Sequence, residues 1–188
     1  SATYDGCADT AGNVTGKQMT LFEDLAAGGT GLIVTGIAYV HSLGQISAFQ
    51  NSIASDDSIA GLKQLTDAVH AHGAKIAVQL FHAGRESVRF LQTKGELAIG
   101  PSVVPDDPYF TRSYRQAVDE DIAQIITAFG DAAKRARAAG FDGVQVHGAH
   151  AYLFSQFLSP QANRRGDQWG GPLDNRLRLH REVLADIR

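Results

Sequence analysis

The stretch "VQVHGAHAYLF", Val144 to Phe154, decides how this chain is read. It opens on two valines, whose β-branched side chains favour extended backbone. Two histidines follow three residues apart, His147 and His150, among small and apolar neighbours. On a continuing strand such a pair points to opposite faces; on a turn that enters a helix the two imidazoles converge on one spot. The apolar run from Tyr152 to Leu158 supplies a short helix, so the stretch reads as a strand end turning into a helix. The strand itself is "DGVQV", Asp142 to Val146.

The same unit recurs on the N-terminal side. Thr15 is placed to cap a helix running to about Ala27, closed by Gly28 and Gly29. "GLIVTG" (Gly31 to Gly36) reads as a short buried strand. Asp57 is the expected cap of the next helix, with Ile59, Leu62, Leu65 and Val69 at helical spacing and Gly73 as its stop. "KIAVQL" (Lys75 to Leu80) is the next strand. Asp119 opens a helix with Ile122, Ile125, Ile126 and Phe129 on one face and Gly140 as its stop. Ala2 to Tyr4 reads as the tail of a first strand, and Asp174 as the cap of a last helix ending near Arg188.

Strand and helix thus alternate four times. The strands are short apolar runs, as expected where both faces are covered, and right-handed crossovers place them in one parallel sheet. A doubly wound open sheet and a barrel both satisfy this order. No G-x-G-x-x-G follows the first strand, which weakens the dinucleotide-fold reading. A complete barrel takes roughly 250 residues. The expected fold is therefore α/β: a (β/α)8 TIM barrel, of which this chain supplies about the first four βα units. Residues 1–188 are expected to form a single domain, the N-terminal half of such a barrel. The absence of an initiator Met and the abrupt end after "REVLADIR" suggest a piece of a longer polypeptide. The longest insertion, residues 82–118, has no strong periodicity, and long loops in compact domains tend to be functional.

Composition narrows the partners. With 44% hydrophobic and 20% charged residues the chain has ordinary globular composition, and no stretch is apolar enough to span a membrane. A net charge of -3 without a basic run argues against nucleic acid. The single cysteine, Cys7, excludes an internal disulfide; with no secretory signal visible, a reducing cytoplasmic location is expected. A homo-oligomer is left open.

Ligands meet the C-terminal ends of the strands in both architectures. Those ends offer Thr3, then Thr35 and Gly36, then Gln79, His82 and Arg85, then His147, His150 and Tyr152. The set holds hydrogen-bond donors and a glycine, but no carboxylate. A metal would need a third ligand beside the histidines, and H-x-x-H lacks the intervening Glu of the H-E-x-x-H motif, so metal is the weaker case. Gln79 either bonds a neighbouring strand or meets the edge of a ligand. Gly36 is either a turn glycine or lets a flat ligand approach the backbone. Tyr152 reads as a core aromatic with its hydroxyl toward solvent, Arg85 as a loop cation and His82 as a loop imidazole.

At this point the residues resemble a known family. "GFDGVQVHGAHAYLFSQFLSPQANRRGDQWGGPLDNRLRL" (Gly140 to Leu179), with "GLIVTG", "IAVQLFHAGR", the "GPS" turn at Gly100 to Ser102 and "SATYDG" at the start, is similar to the old yellow enzyme family of FMN-dependent NADH:flavin oxidoreductases and ene-reductases. The resemblance covers essentially the whole chain and implies an FMN-binding (β/α)8 barrel. It implies NAD(P)H as reductant and an activated alkene, such as an enone or nitroalkene, as substrate, reduced by hydride transfer from flavin N5. His147 and His150 match the pair that hydrogen-bonds a substrate oxygen, and Tyr152 the residue that delivers a proton to the α-carbon. Ala2 and Thr3 match positions against the flavin edge, Gly36 a small residue whose backbone contacts it, and Gln79 the glutamine on its pyrimidine edge. Thr3 stands at a position that is Thr or Cys in the family, and Trp169 where Tyr is common. The resemblance places the family's phosphate-binding residues outside these 188 residues, so the isolated segment is expected to bind FMN weakly and to turn over poorly. Three readings remain beside the ene-reductase. One is a 2,4-dienoyl-CoA reductase-like or amine dehydrogenase-like flavoenzyme with further redox domains. Another is a metal-dependent barrel hydrolase or lyase built on the histidine pair. The last is a non-catalytic half-barrel.

Overall fold

The computed structural model describes residues 4–105, 107, 110 and 112–188. The chain divides into two compact units. The first comprises Ser1–Val40, Ser47–Phe81 and Asp131–Val146; the second comprises His41–Ile46, His82–Gly130 and His147–Arg188.

The first unit is built on a parallel sheet. Its strands are β1 (Leu32–Tyr39), β2 (Asn51–Ser52), β3 (Lys75–Phe81) and β6 (Gly143–Val146), in the order β2-β1-β3-β6. Ile33, Ile37, Ile76, Val78 and Leu80 are buried, which is what short apolar strands covered by helices require. β1 runs on past the expected stop at Gly36 to Tyr39. The register between β1 and β3 shifts between Val34 and Ile37, and Thr35 and Gly36 occupy that irregularity. There the Thr35 hydroxyl accepts from the Gln79 backbone N–H (3.2 Å) and donates to the Gly36 carbonyl (2.7 Å). Gly36 is thus a bulge residue inside a strand, not a turn glycine. The expected first strand falls on Ala2 and Thr3, which lie outside the described residues; Tyr4 is not in a strand.

Two helices and the end of a third complete this unit. In α1 (Gly16–Ala27) the Thr15 side chain accepts from the Gln18 backbone N–H, and Phe22 and Ala26 are buried. In α2 (Ile59–Ala71) Leu62, Leu65 and Val69 face the core, as their spacing predicts. Asp57 does not cap α2. It lies in a 3-10 turn, Asp56–Ser58, and α2 follows Ser58 without a side-chain cap. Two carboxylates beside a helix N-terminus interact favourably with its dipole wherever the cap falls, so sequence alone does not separate the roles. Gly73 and Gly140 stop their helices at φ +77° and +87°. Asp142 joins the strand starts: its carboxylate accepts from the Ile76 backbone N–H and pairs with Lys75 and His70.

In the second unit the described residues of the insertion after β3 include several short elements. These are a 3-10 turn (Gly84–Ser87), α3 (Val88–Gln92), and a two-stranded parallel pair, β4 (Ile99–Gly100) with β5 (Arg115–Gln116). Val88, Leu91, Ala98 and Tyr114 form a small core beneath them. The long helix α4 (Asp119–Ala138) begins here with three acidic residues in its first turn, and from Asp131 onward it belongs to the first unit. α5 (Leu153–Leu158) buries Phe154 and Phe157, and Phe154 meets Phe129 edge-on at 5.2 Å. The last helix is two: α6 (Leu173–Arg176) and α7 (Arg178–Ile187). Asp174 is inside α6, whose N-cap is Pro172, rather than being the cap itself. Among the described residues no helix is long and apolar enough to cross a membrane.

Candidate active site

In the second unit the three expected catalytic residues come together on one turn. His147 directly follows β6 and is 6% exposed. Its Nδ1 accepts from the Ala149 backbone N–H (3.4 Å), which leaves its proton on Nε2. His147 Nε2 and His150 Nδ1 are 3.2 Å apart, so His147 donates to His150, whose own proton then sits on Nε2. The Tyr152 ring lies 5.1 Å from the His147 ring and 6.4 Å from that of His150.

The backbone explains the convergence. His150 and Ala151 adopt φ +58° and +60°, two consecutive left-handed residues that are not glycine. That geometry costs roughly 1–2 kcal/mol per L-residue and persists only where the surroundings impose it. It curls the chain within one turn, after which Tyr152 returns to extended backbone and caps α5. Tyr152 is therefore the residue before the helix rather than its first.

The electrostatics suit neutral donors. Burial, and then the neighbouring His150, hold the His147 imidazole below its ordinary pKa. Burial, and then the Glu86 charge, push the Tyr152 phenol up. At neutral pH the turn therefore presents uncharged imidazole and a protonated phenol. Beside it lies a cavity of about 480 Å³, lined by Arg85, Asp107, Ala151, Ser155, Gln156 and Arg164 among others, a volume in the usual range for small-molecule sites. Arg85 is not a free loop cation: it donates to Asp107 (2.8 Å) and lies over the Phe110 ring at 4.8 Å.

In the first unit Gln79 is 1% exposed. Its Nε2 donates to Gln145 Oε1 (2.6 Å), a side chain on the neighbouring strand, while its own Oε1 is buried without a hydrogen-bond partner. A Cβ on Gly36 would meet the Asp5 carboxylate at 2.9 Å, so Asp5 gives that glycine a packing reason. Ala2 and Thr3 lie outside the described residues. Among the described residues there is no group of three or more His, Cys, Asp or Glu placed to hold a metal ion. His82, in the second unit, is 1% exposed; its Nδ1 accepts from the Gly84 backbone N–H, and burial lowers its pKa to about 3.

Gln156 escapes sequence reasoning. A glutamine inside "LFSQFL" looks like a polar interruption of an apolar run, yet it is buried and fully hydrogen-bonded. Its place on the inner face of a helix is the one signal the sequence offers.

Comparison with known proteins gives this arrangement of a parallel βα chain, paired imidazoles and a phenol its class. The model of the NADH:flavin oxidoreductase / NADH oxidase family matches residues 1–188. An NADPH dehydrogenase of Halalkalibacterium halodurans is 43% identical over 167 residues, covering 89% of this chain and 47% of that protein. Morphinone reductase in complex with tetrahydroNAD superposes with a TM-score of 0.89 at 30% identity, covering all of this chain and 55% of that one. Old yellow enzyme from Pichia sp. AKU4542 does so with 0.90 at 27% identity, over 99% and 50%. The chain belongs to the NADH:flavin oxidoreductase / NADH oxidase family, an FMN-binding oxidoreductase family, and its fold class is the TIM barrel of these neighbours. It spans about half the length of the curated relatives it matches. The residues present fit the cofactor at one testable point: the unpartnered Gln79 oxygen is a buried acceptor, and the pyrimidine edge of a flavin carries an N–H donor.

Proposed function

We propose that the protein is an FMN-dependent oxidoreductase that uses NAD(P)H to reduce activated C=C bonds such as those of enones and nitroalkenes. The observation that carries this reading is the convergence of His147, His150 and Tyr152 on one left-handed turn, where burial holds the His147 imidazole below its ordinary pKa and the Tyr152 phenol above its own. Ala2, Thr3, Gly36 and Gln79 are the residues proposed to hold FMN, which when bound supplies the hydride chemistry. His150 Nε2–H donates to the carbonyl or nitro oxygen of the substrate, where negative charge grows as the β-carbon is reduced, and His147 supports that donor by giving its own Nε2–H to His150 Nδ1. Tyr152 is the general acid that protonates the α-carbon, a role its raised pKa preserves at neutral pH. His147, His150 and Tyr152 bring N–H and O–H donors to this turn, which suits a developing oxyanion. A cytoplasmic setting is part of the same proposal, supported by a lone buried Cys7 that forms no disulfide.

The test is an anaerobic absorption spectrum of the intact protein. An oxidised-flavin spectrum that NAD(P)H bleaches and cyclohexenone restores is the expected result. A colourless protein, or a bleached one that cyclohexenone leaves unchanged, refutes the proposal.

A further inference from the structure

We propose that Gln156 is a positioning residue, whose side-chain amide holds the turn through His150 and Ala151 in its left-handed form and so sets the aim of His150 and Tyr152. Gln156 sits on α5, 2% exposed. Its Nε2 donates to the Ala151 carbonyl (2.6 Å) and to the Ala83 carbonyl (3.0 Å), while its Oε1 accepts from the Arg85 backbone N–H (3.1 Å). Both amide hydrogens and the amide oxygen are thus used, and the orientation is unique: a flipped amide would set its oxygen against two carbonyl oxygens. One side chain ties the turn after β3 to the turn after β6, within the second unit.

Two further observations point the same way. Gly84 has φ +62°, and a Cβ there would lie 2.1 Å from Gln156 Oε1, so the chain keeps that position open for the amide. Ala151 is an L-residue at φ +60°, a conformation that its own side chain disfavours. A glycine at 151 would adopt it without help. The clamp is needed because residue 151 is alanine, and that makes the idea separable from general packing. What the turn does in catalysis rests on the function proposed above; the geometry of the turn does not.

The experiment compares Gln156→Met, Ala151→Gly and the double variant in the intact protein. Imidazole ¹⁵N NMR reads the His147–His150 hydrogen bond, and steady-state kinetics read cyclohexenone reduction. Gln156→Met is expected to lose the inter-imidazole coupling and to lower kcat on the order of tenfold to a hundredfold, the scale of a misplaced catalytic group. KM is expected to stay unchanged, whereas a direct substrate contact from Gln156 would raise it and overturn the proposal. Ala151→Gly is expected to restore the coupling and kcat in the Gln156→Met background. A double variant as impaired as Gln156→Met overturns the clamp. Should Gln156→Met fail to fold, the double variant decides alone: folding with the coupling intact supports the clamp, and failure to fold overturns it. If the coupling follows the predicted pattern and no variant, nor the unaltered protein, reduces cyclohexenone, the clamp stands and the proposed function falls.

Discussion

His147 Nε2 and His150 Nδ1 face each other at 3.2 Å, so the two imidazoles form a chain of donors rather than two independent ones. The Ala149 backbone N–H sets the His147 tautomer, and His147 in turn sets that of His150. Loss of His150 removes one donor to the substrate oxygen. Loss of His147 removes the group that fixes the tautomer and orientation of His150. His150→Ala is expected to lower kcat/KM for cyclohexenone by roughly a hundredfold to a thousandfold, and His147→Ala, which acts through His150, by no more than that. The double variant should be little worse than His150→Ala. Additive losses in the same kinetic assay would show that the histidines act separately.

Tyr152 tests the proton side of the proposal. Burial and the Glu86 charge keep its phenol protonated, so it can give a proton at neutral pH. Tyr152→Phe keeps the ring that packs on His147 and removes only the hydroxyl. Turnover of cyclohexenone should fall by about a hundredfold or more, the usual worth of a general acid. NAD(P)H-dependent bleaching of the flavin should be unaffected, and stopped-flow absorbance separates the two. Equal losses in both would assign Tyr152 a packing role instead.

Gln79 tests the cofactor side, through a buried oxygen that has no partner among the described residues. Gln79→Leu removes that Oε1 together with the bond to Gln145. If the oxygen receives the flavin N–H, FMN affinity should drop about tenfold, the worth of one net hydrogen bond of about 1–1.5 kcal/mol. Flavin fluorescence titration of the intact apoprotein measures this. An unchanged affinity would confine Gln79 to the pairing of β3 with β6.

The regular part of the first unit was legible because burial follows period: Leu62, Leu65 and Val69 lie on one side of α2, and Gly73 and Gly140 stop helices where only glycine enters the left-handed region cheaply. The convergence of His147 and His150 was legible as well, given a turn rather than a strand. The conformation that achieves it was not. Ala151 carries no turn signal, and its carbonyl is bound by Gln156, a residue from the following helix whose role depends on tertiary contacts. The short β4 and β5 strands, two residues each, are too brief to show any period. Asp57 and Asp174 failed as caps because an acid in the first turn and an acid at the cap are favoured by the same field. FMN was named by the family resemblance; spacing and donor chemistry alone left a metal and a structural role open.

His82 makes the stability of the protein sensitive to acid. Its imidazole is buried, close to His41, and its pKa falls to about 3, against about 6.5 in an unfolded chain. Below pH about 6.5 the unfolded chain takes up a proton that the folded protein refuses, so the unfolded state gains stability as pH falls. The contribution of His82 is fully present above pH about 6.5 and is lost as pH falls toward 3, at a slope approaching about 1.4 kcal/mol per pH unit. His41, His147 and His180 are shifted in the same direction by burial and add to it. Asp142 acts in a lower window: hydrogen bonds from Lys75, then His70 and the Ile76 N–H, hold its carboxyl well below the usual range, so its contribution is lost only below pH about 3.9. Urea unfolding of the intact protein at pH 7, 5.5 and 4.5 stays above the Asp142 window and so reads the histidines without it. His82→Gln should be less stable at pH 7 yet lose stability less steeply down to pH 4.5, by up to one proton's worth of slope. Parallel pH dependences for the two proteins would show that His82 takes up its proton in the folded state as readily as in the unfolded one.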